Sequence, residues 1–340
     1  MTDRWITCCH FRRAYPHEQG MPRNNITRED PVFIVLNVGS GRGDAQAKQA
    51  AIQGVLEEAG QRHEVFIIDD SRQLSIMAQH AVELAQQQQG IVVAAGGDGT
   101  INAVAQAVLN SGRPFGVLPQ GTFNYFSRTH GIPADTIEAT KALLNATVQP
   151  VQVGLINGRV FLVNASLGLH PQLLEDREAY KKQFGRSRLV AFWSGLMTIL
   201  REHRQLVIQL ELAGKTQIVR TSTLVVSNNM LQLEQIGIPE ANALQQGQLA
   251  AITVRPGGTL AMLWLLVRGV LGQLGQVENV VSFAFECLTV RPWLPYGRRR
   301  IKVATDGEVT WLSTPLVFEV APNPLLLLVP TRDATGADDA

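Results

Sequence analysis

Hydrophobic and polar positions fall into two textures along the chain. From Pro31 onward, short runs that are apolar throughout (residues 32–36, 63–68, 91–95 and 115–118) alternate with helical spacing over 44–59, 73–88 and 100–110. Strands apolar on both faces and separated by helices predict a parallel sheet covered by helices on both sides. The first domain is therefore read as α/β, over residues 31–146. Beyond Asn145 the texture changes. Residues 148–157 and 159–166 read as strands around Asn157-Gly158, a type I′ hairpin signal. After a helical stretch at 173–204, strands are expected at 205–212, 215–227, 248–255, 278–290, 299–305, 309–312, 316–320 and 325–329. Short turns such as Ala213-Gly214 imply antiparallel pairing. The second domain, 147–330, is read as a β-sandwich carrying one or two helices, one of them at 259–271. Residues 1–30 are expected to be a poorly ordered extension, with Met21 an alternative start, and 331–340 a disordered tail.

Composition and charge remove whole classes of function. Hydrophobic residues make up 45% of the 340 and charged residues 17%, which excludes disorder for the bulk of the chain. The formal net charge is only +1, against a dedicated nucleic-acid binder. Three cysteines, two of them adjacent (Cys8 and Cys9), build no disulfide framework and no zinc spacing, so a cytoplasmic setting is expected. The apolar runs at 260–267 and 325–329 fall well short of the roughly 20 residues a spanning helix needs.

The chemistry concentrates in glycine loops that follow strands. In Gly96-Gly97-Asp98-Gly99-Thr100, with Asn102 two residues on, a buried strand ends in glycines and a helix begins, with Thr100 placed to cap it. Backbone N–H groups and a helix N-terminus then converge where a phosphate can bind. Asp98 sets an ionisable group where anions and metal ions sit. A tight turn without ligand is the alternative for the glycines alone. Two further loops, 39–43 and 118–124, follow the first and fourth strands at the same sheet edge, where ligands of parallel sheets bind. Neither a GxGxxG nor a GxxxxGK[ST] pattern is present.

Asn37-x-x-Ser40-Gly41-x-Gly43, Gly96–Thr100 with Asn102, and Pro119-x-Gly121-Thr122-x-Asn124 with Arg128 and Gly131-Ile-Pro133 resemble the diacylglycerol kinase catalytic-domain family, bacterial lipid kinases related to sphingosine and ceramide kinases. The resemblance continues through Asn164-x-x-x-Gly168, Phe184-Gly185-Arg186, Val226-x-Asn228 and Asp306-Gly307-Glu308, covering about residues 31–330. It implies an ATP- and Mg²⁺-dependent kinase that phosphorylates a hydroxyl of a membrane lipid such as diacylglycerol, with an active site in the cleft between the domains. Asn37, Ser40, Gly41, Gly43, Gly96, Gly97, Gly99, Thr100, Asn102, Gly121, Thr122 and Asn124 are implied to hold the nucleotide. Asp98 is implied to organise the Mg²⁺-nucleotide, and Glu308 to take the proton of the lipid hydroxyl. In more distant lipid kinases the aspartate of the glycine loop has that role. Without the resemblance, Asp306-Gly307-Glu308 reads as a hairpin turn.

Three positions depart from the family pattern. Tyr125 stands where an aspartate is common, Gln245-Gln246-Gly247 where Asp-Asp-Gly contributes to a structural Mg²⁺ site, and Gly168-Leu169-His170 where Gly-Phe-Asp is usual. Amides are poor substitutes for carboxylates around Mg²⁺, so no second-domain metal site is expected. A NAD kinase-like enzyme and a nucleotide- and lipid-binding regulator are the alternatives. The lipid kinase reading places its substrate at a membrane surface, with peripheral contact through Arg291–Arg300 or the helical stretch near Trp193. It expects no nucleic-acid partner and leaves a homodimer open.

Overall fold

The computed structural model describes residues 27–39, 45–121, 123–168, 205–256, 264, 268 and 273–331. Most of the expected N-terminal extension, the helix at 173–204, nearly all of that at 259–271 and the tail from 332 lie outside them. The described chain forms two compact units, one built from residues up to Gln152 together with those from Asn323, the other from Val153–Pro322.

The first unit alternates strand and helix: β1 (Val32–Asn37), α1 (Ala45–Glu58), β2 (His63–Ile68), α2 (Leu74–Gln87), β3 (Ile91–Gly96), α3 (Asp98–Val108), β4 (Phe115–Pro119), α4 (Tyr125–Thr129), α5 (Thr136–Leu144) and β5 (Ala146–Val151). β1, β3 and β4 are buried along nearly their whole length, as their unbroken apolar runs require. β1 pairs in parallel with β2 and β3, and β3 in parallel with β4. Helix α2 packs on α3, and α1 on α5. α5 starts at Asp135, whose side chain accepts the N–H groups of Ile137 and Glu138.

The second unit contains β6 (Gly154–Ile156), β7 (Arg159–Phe161), β8 (Asn164–Gly168), β9 (Leu206–Leu212), β10 (Lys215–Thr221), β11 (Thr223–Ser227), α6 (Met230–Gln235), β12 (Leu249–Val254), β13 (Val280–Phe285), β14 (Cys287–Pro292), β15 (Arg300–Thr305), β16 (Glu308–Ser313) and β17 (Leu316–Val320). Two six-stranded antiparallel sheets, ordered β10-β9-β14-β17-β6-β7 and β13-β12-β11-β8-β15-β16, enclose a core that includes Phe161, Leu167, Leu288, Val303 and Phe318. α6 and a 3₁₀ segment, Pro239–Gln246, bury a smaller cluster against Ala250 and Ile252 of β12. Two-residue turns with both positions at positive φ, Asn157-Gly158, Ala213-Gly214 and Asp306-Gly307, close the β6–β7, β9–β10 and β15–β16 hairpins.

The structure departs from the sequence reading where a strand changes sheet. Residues 148–157, read as one strand, are β5 in the first unit and β6 in the second. Residues 278–290 break at Glu286 into β13 and β14, which belong to opposite sheets. The last apolar run, read as a sandwich strand, is β18 (Leu325–Pro330), which lies between β4 and β5 in the first unit, parallel to the former and antiparallel to the latter. Leu325, Leu327 and Leu328 are buried there, which suits a run that is apolar throughout.

Candidate active site

In the first unit, the carboxyl ends of β1, β3 and β4 come together, and small residues let them do so. β3 ends at Gly96, where a Cβ would lie 2.6 Å from Thr100 Oγ1. The residue preceding α3 is Gly97, which has no side chain to bond the first-turn N–H groups that a helix leaves without intrahelical acceptors. Thr100 is therefore not the cap the sequence led us to expect. It lies inside α3, 3% exposed, and its hydroxyl accepts Asn37 Nδ2 at 2.9 Å. Asn37 Oδ1 in turn accepts Gly39 N–H at 3.0 Å, so one side chain ties the β1 loop to α3. Asp98 opens α3, where the helix dipole favours a carboxylate, and is half-buried. Asn102 is half-buried one turn in.

The third loop closes on the same point. Gln120 N–H donates to Gly96 O at 2.8 Å. At Gly121 a Cβ would fall 2.7 Å from Asn124 Oδ1 and 3.3 Å from Gly97 Cα, so glycine makes this close approach easy. Asn124 holds a left-handed conformation and donates Nδ2 to Gly121 O at 3.0 Å. Two buried polar atoms here, Gln120 Nε2 and Asn124 Oδ1, have no hydrogen-bond partner among the described residues. Ser40, Gly41, Gly43 and Thr122 lie outside the described residues, so their expected places are not seen.

Two features of this rim escaped the sequence reading. Lys48 of α1 reaches Gln120 Oε1 at 3.5 Å, bringing a cation to the loops. It is the sole basic residue of α1, a signal that could have been noticed. Tyr125 lies parallel to Phe123, ring centroids 6.2 Å apart, with the Arg128 guanidinium 5.7 Å from the Tyr125 ring. An aromatic and cationic surface thus occupies the position at which the family commonly has a carboxylate.

The second unit carries Glu308. Its turn does more than reverse the chain. Asp306 accepts three backbone N–H groups, Leu162 at 2.7 Å on Oδ2, and Val163 at 2.8 Å and Asn164 at 3.0 Å on Oδ1. Asn228 N–H donates to Val163 O, and Asn164 Nδ2 to Gln232 Oε1. Asn164, Asn228 and Asp306, far apart in sequence, therefore fix one stretch of backbone. Glu308 follows that turn. Its side chain is exposed, yet enough protein surrounds it to raise its pKa above the ordinary glutamate value. Desolvation is the largest cause and the nearby Asp306 charge the next, while Arg159 pulls the other way.

A parallel sheet whose carboxyl-end loops offer a glycine turn and a helix N-terminus is built to hold phosphate groups. The family model of the diacylglycerol kinase catalytic domain matches residues 31–156. Diacylglycerol kinase of Bacillus subtilis is 32% identical over 190 residues, 54% of this chain and 59% of the relative. An uncharacterised protein of Synechocystis is 25% identical over 323 residues, 88% of this chain and 70% of the relative. Among solved structures, a diacylglycerol kinase from Bacillus anthracis superposes with a TM-score of 0.67 at 21% identity, covering 89% of this chain and 98% of that one. Over residues 31–156 the chain is thus similar to diacylglycerol kinase catalytic domains, while it spans little more than half the length of the Bacillus subtilis relative. Among the described residues no helix is long and apolar enough to cross a membrane.

Proposed function

We propose that the chain transfers the γ-phosphoryl group of ATP to a hydroxyl of a membrane lipid, with diacylglycerol the first candidate. The observation that carries this reading is the convergence of Gly96–Asp98, Gly121 and Asn124 on one helix N-terminus, with an unpaired buried amide donor on Gln120 beside it. Phosphate oxygens are acceptors, and this set of donors fits them. Gly97, Gly99 and Gly121 let the backbone approach the phosphates, Asn37 and Thr100 hold the loops in register, and Lys48 adds positive charge. Asp98 is the carboxylate for Mg²⁺. A single carboxylate suffices for an ion that keeps several waters and takes its remaining ligands from nucleotide phosphates. When bound, Mg²⁺ neutralises charge on the phosphates.

Glu308 accepts the proton of the attacking hydroxyl. Its raised pKa makes it a stronger base than an ordinary glutamate, and base catalysis of this kind contributes roughly 10²- to 10⁴-fold. Asp306 holds that turn and, through its charge, the basicity of Glu308. The test is phosphate transfer from γ-labelled ATP, with Mg²⁺, to vesicles containing diacylglycerol, phosphatidylglycerol, a sphingoid base or a prenol, with NAD as the water-soluble control. Label in a lipid supports the reading. Label in NAD alone, or in none of them, refutes it.

A further inference from the structure

One end of the sandwich carries a surface that neither its core nor the phosphate site explains. Between β14 and β15 the chain crosses from one sheet to the other, and this crossing is firmly fixed. Trp293 N–H donates to Val207 O at 2.8 Å, Arg298 N–H to Pro295 O at 3.0 Å, and Thr314 N–H to Arg299 O at 2.9 Å. Leu294 packs against the core, and Gly297 makes the bend at φ +81°. All of these anchors are backbone groups or Leu294. The larger side chains point outward: Trp293 is 65% exposed, Tyr296 wholly so, and Trp311, on β16, 48%.

Cations accompany these rings along the chain. Arg298, Arg299 and Arg300 are exposed, Arg300 donates to Trp311 O at 3.0 Å, and Lys302 Nζ lies 5.6 Å from the Trp311 ring. No Asp or Glu occurs between Glu286 and Asp306, in a chain whose net charge is only +1. The positive charge is therefore local. In the β15–β16 register Arg300 pairs with Ser313 and Thr305 with Glu308, so the patch occupies the end of that ladder away from Glu308.

Large exposed rings at one end of a sandwich mark a contact surface. Tryptophan and tyrosine favour the headgroup level of a bilayer, and arginine pairs with lipid phosphates there. Four cations on one short segment are too few to track the phosphates of a nucleic acid, which takes a longer run of contacts. We propose that Trp293, Tyr296, Trp311 and Arg298–Arg300 form a docking surface for an anionic phospholipid bilayer. The proposal names the membrane contact that the lipid kinase reading calls for, while its test needs no kinase activity.

Co-sedimentation of the full chain with phosphatidylcholine vesicles, with and without phosphatidylglycerol, tests it without any activity measurement. The chain should pellet with the anionic vesicles, less so as salt rises. The double variants W293A/Y296A and R298E/R299E should each weaken binding by roughly tenfold or more, with melting temperatures unchanged. If either double variant unfolds, Tyr296→Ala alone serves, since its exposed ring packs on nothing, and a several-fold loss is then expected. Four results would overturn the proposal: no vesicle binding by the wild type, equal binding to neutral vesicles, variants that bind like wild type, or binding to a single-stranded oligonucleotide but not to vesicles. So would a change of oligomeric state in the variants with vesicle binding intact, since that would make the patch a contact between copies.

Discussion

Replacing Asp306 with Asn separates the two parts this residue plays. Asp306 sits at φ +47°, a conformation Asn also tolerates, so the substitution adds no backbone strain. Its carboxylate takes two N–H groups on one oxygen and one on the other, all from residues 162–164, which are buried. An amide can turn its oxygen toward Val163 and Asn164, but its NH₂ then faces the N–H of Leu162. One buried donor is left without an acceptor, at roughly 1–3 kcal/mol, and two charge-assisted bonds become neutral, at roughly 1 kcal/mol more. The expected loss is about 2–4 kcal/mol, which for a unit of this size lowers the melting temperature by roughly 5–15 °C. Thermal unfolding followed by tryptophan fluorescence reads it, because Trp293 and Trp311 lie in the same unit. The same variant removes a negative charge beside Glu308, so the Glu308 carboxyl should titrate at lower pH than in wild type. The acid limb of the pH–rate profile should move down accordingly. A melting temperature within a degree of wild type would show that the three bonds do not hold the turn. An unmoved acid limb, with the stability lost, would show that Asp306 is an anchor and nothing more.

Glu308→Gln should lower kcat by roughly 10² or more with the KM for ATP nearly unchanged. Because the folded-state pKa of Glu308 is raised, its ionisation opposes folding as pH rises above the ordinary glutamate value, and not below it. The variant should therefore be more stable than wild type at neutral pH and equal to it in acid, which urea unfolding at the two pH values checks. Asp98→Asn should abolish both activity and the thermal stabilisation by Mg-ATP while the fold survives; a retained shift with full activity would remove Asp98 from the site. Lys48→Met should raise the KM for ATP several-fold with little change in kcat, as loss of a contact made equally in ground and transition states does, and an unchanged KM would place Lys48 outside the phosphate site.

The sequence by itself determined what depends on local pattern. Unbroken apolar runs made β1, β3 and β4 buried parallel strands, and glycines after them marked the turns whose backbone the site uses. Asn157-Gly158 was a hairpin because few other pairs hold two positive φ angles at low cost, and Ala213-Gly214 because its glycine falls between two strand-like runs. Where a strand goes was a different question, since an apolar run buries equally well in either unit. Only long-range pairing set β18 between β4 and β5, and only the sheet switch at Glu286 divided one run into β13 and β14. The candidate site divides the same way. Its glycines and Asp98 were legible as a motif, because close backbone approach excludes a Cβ. Lys48 meets Gln120 across 72 positions of chain, and Asp306 meets Leu162 across 144; these contacts exist only once helices and hairpins have packed. The raised pKa of Glu308 belongs with them, because the surrounding protein and the placement of Asp306 and Arg159 are properties of the folded unit and not of the Asp-Gly-Glu sequence.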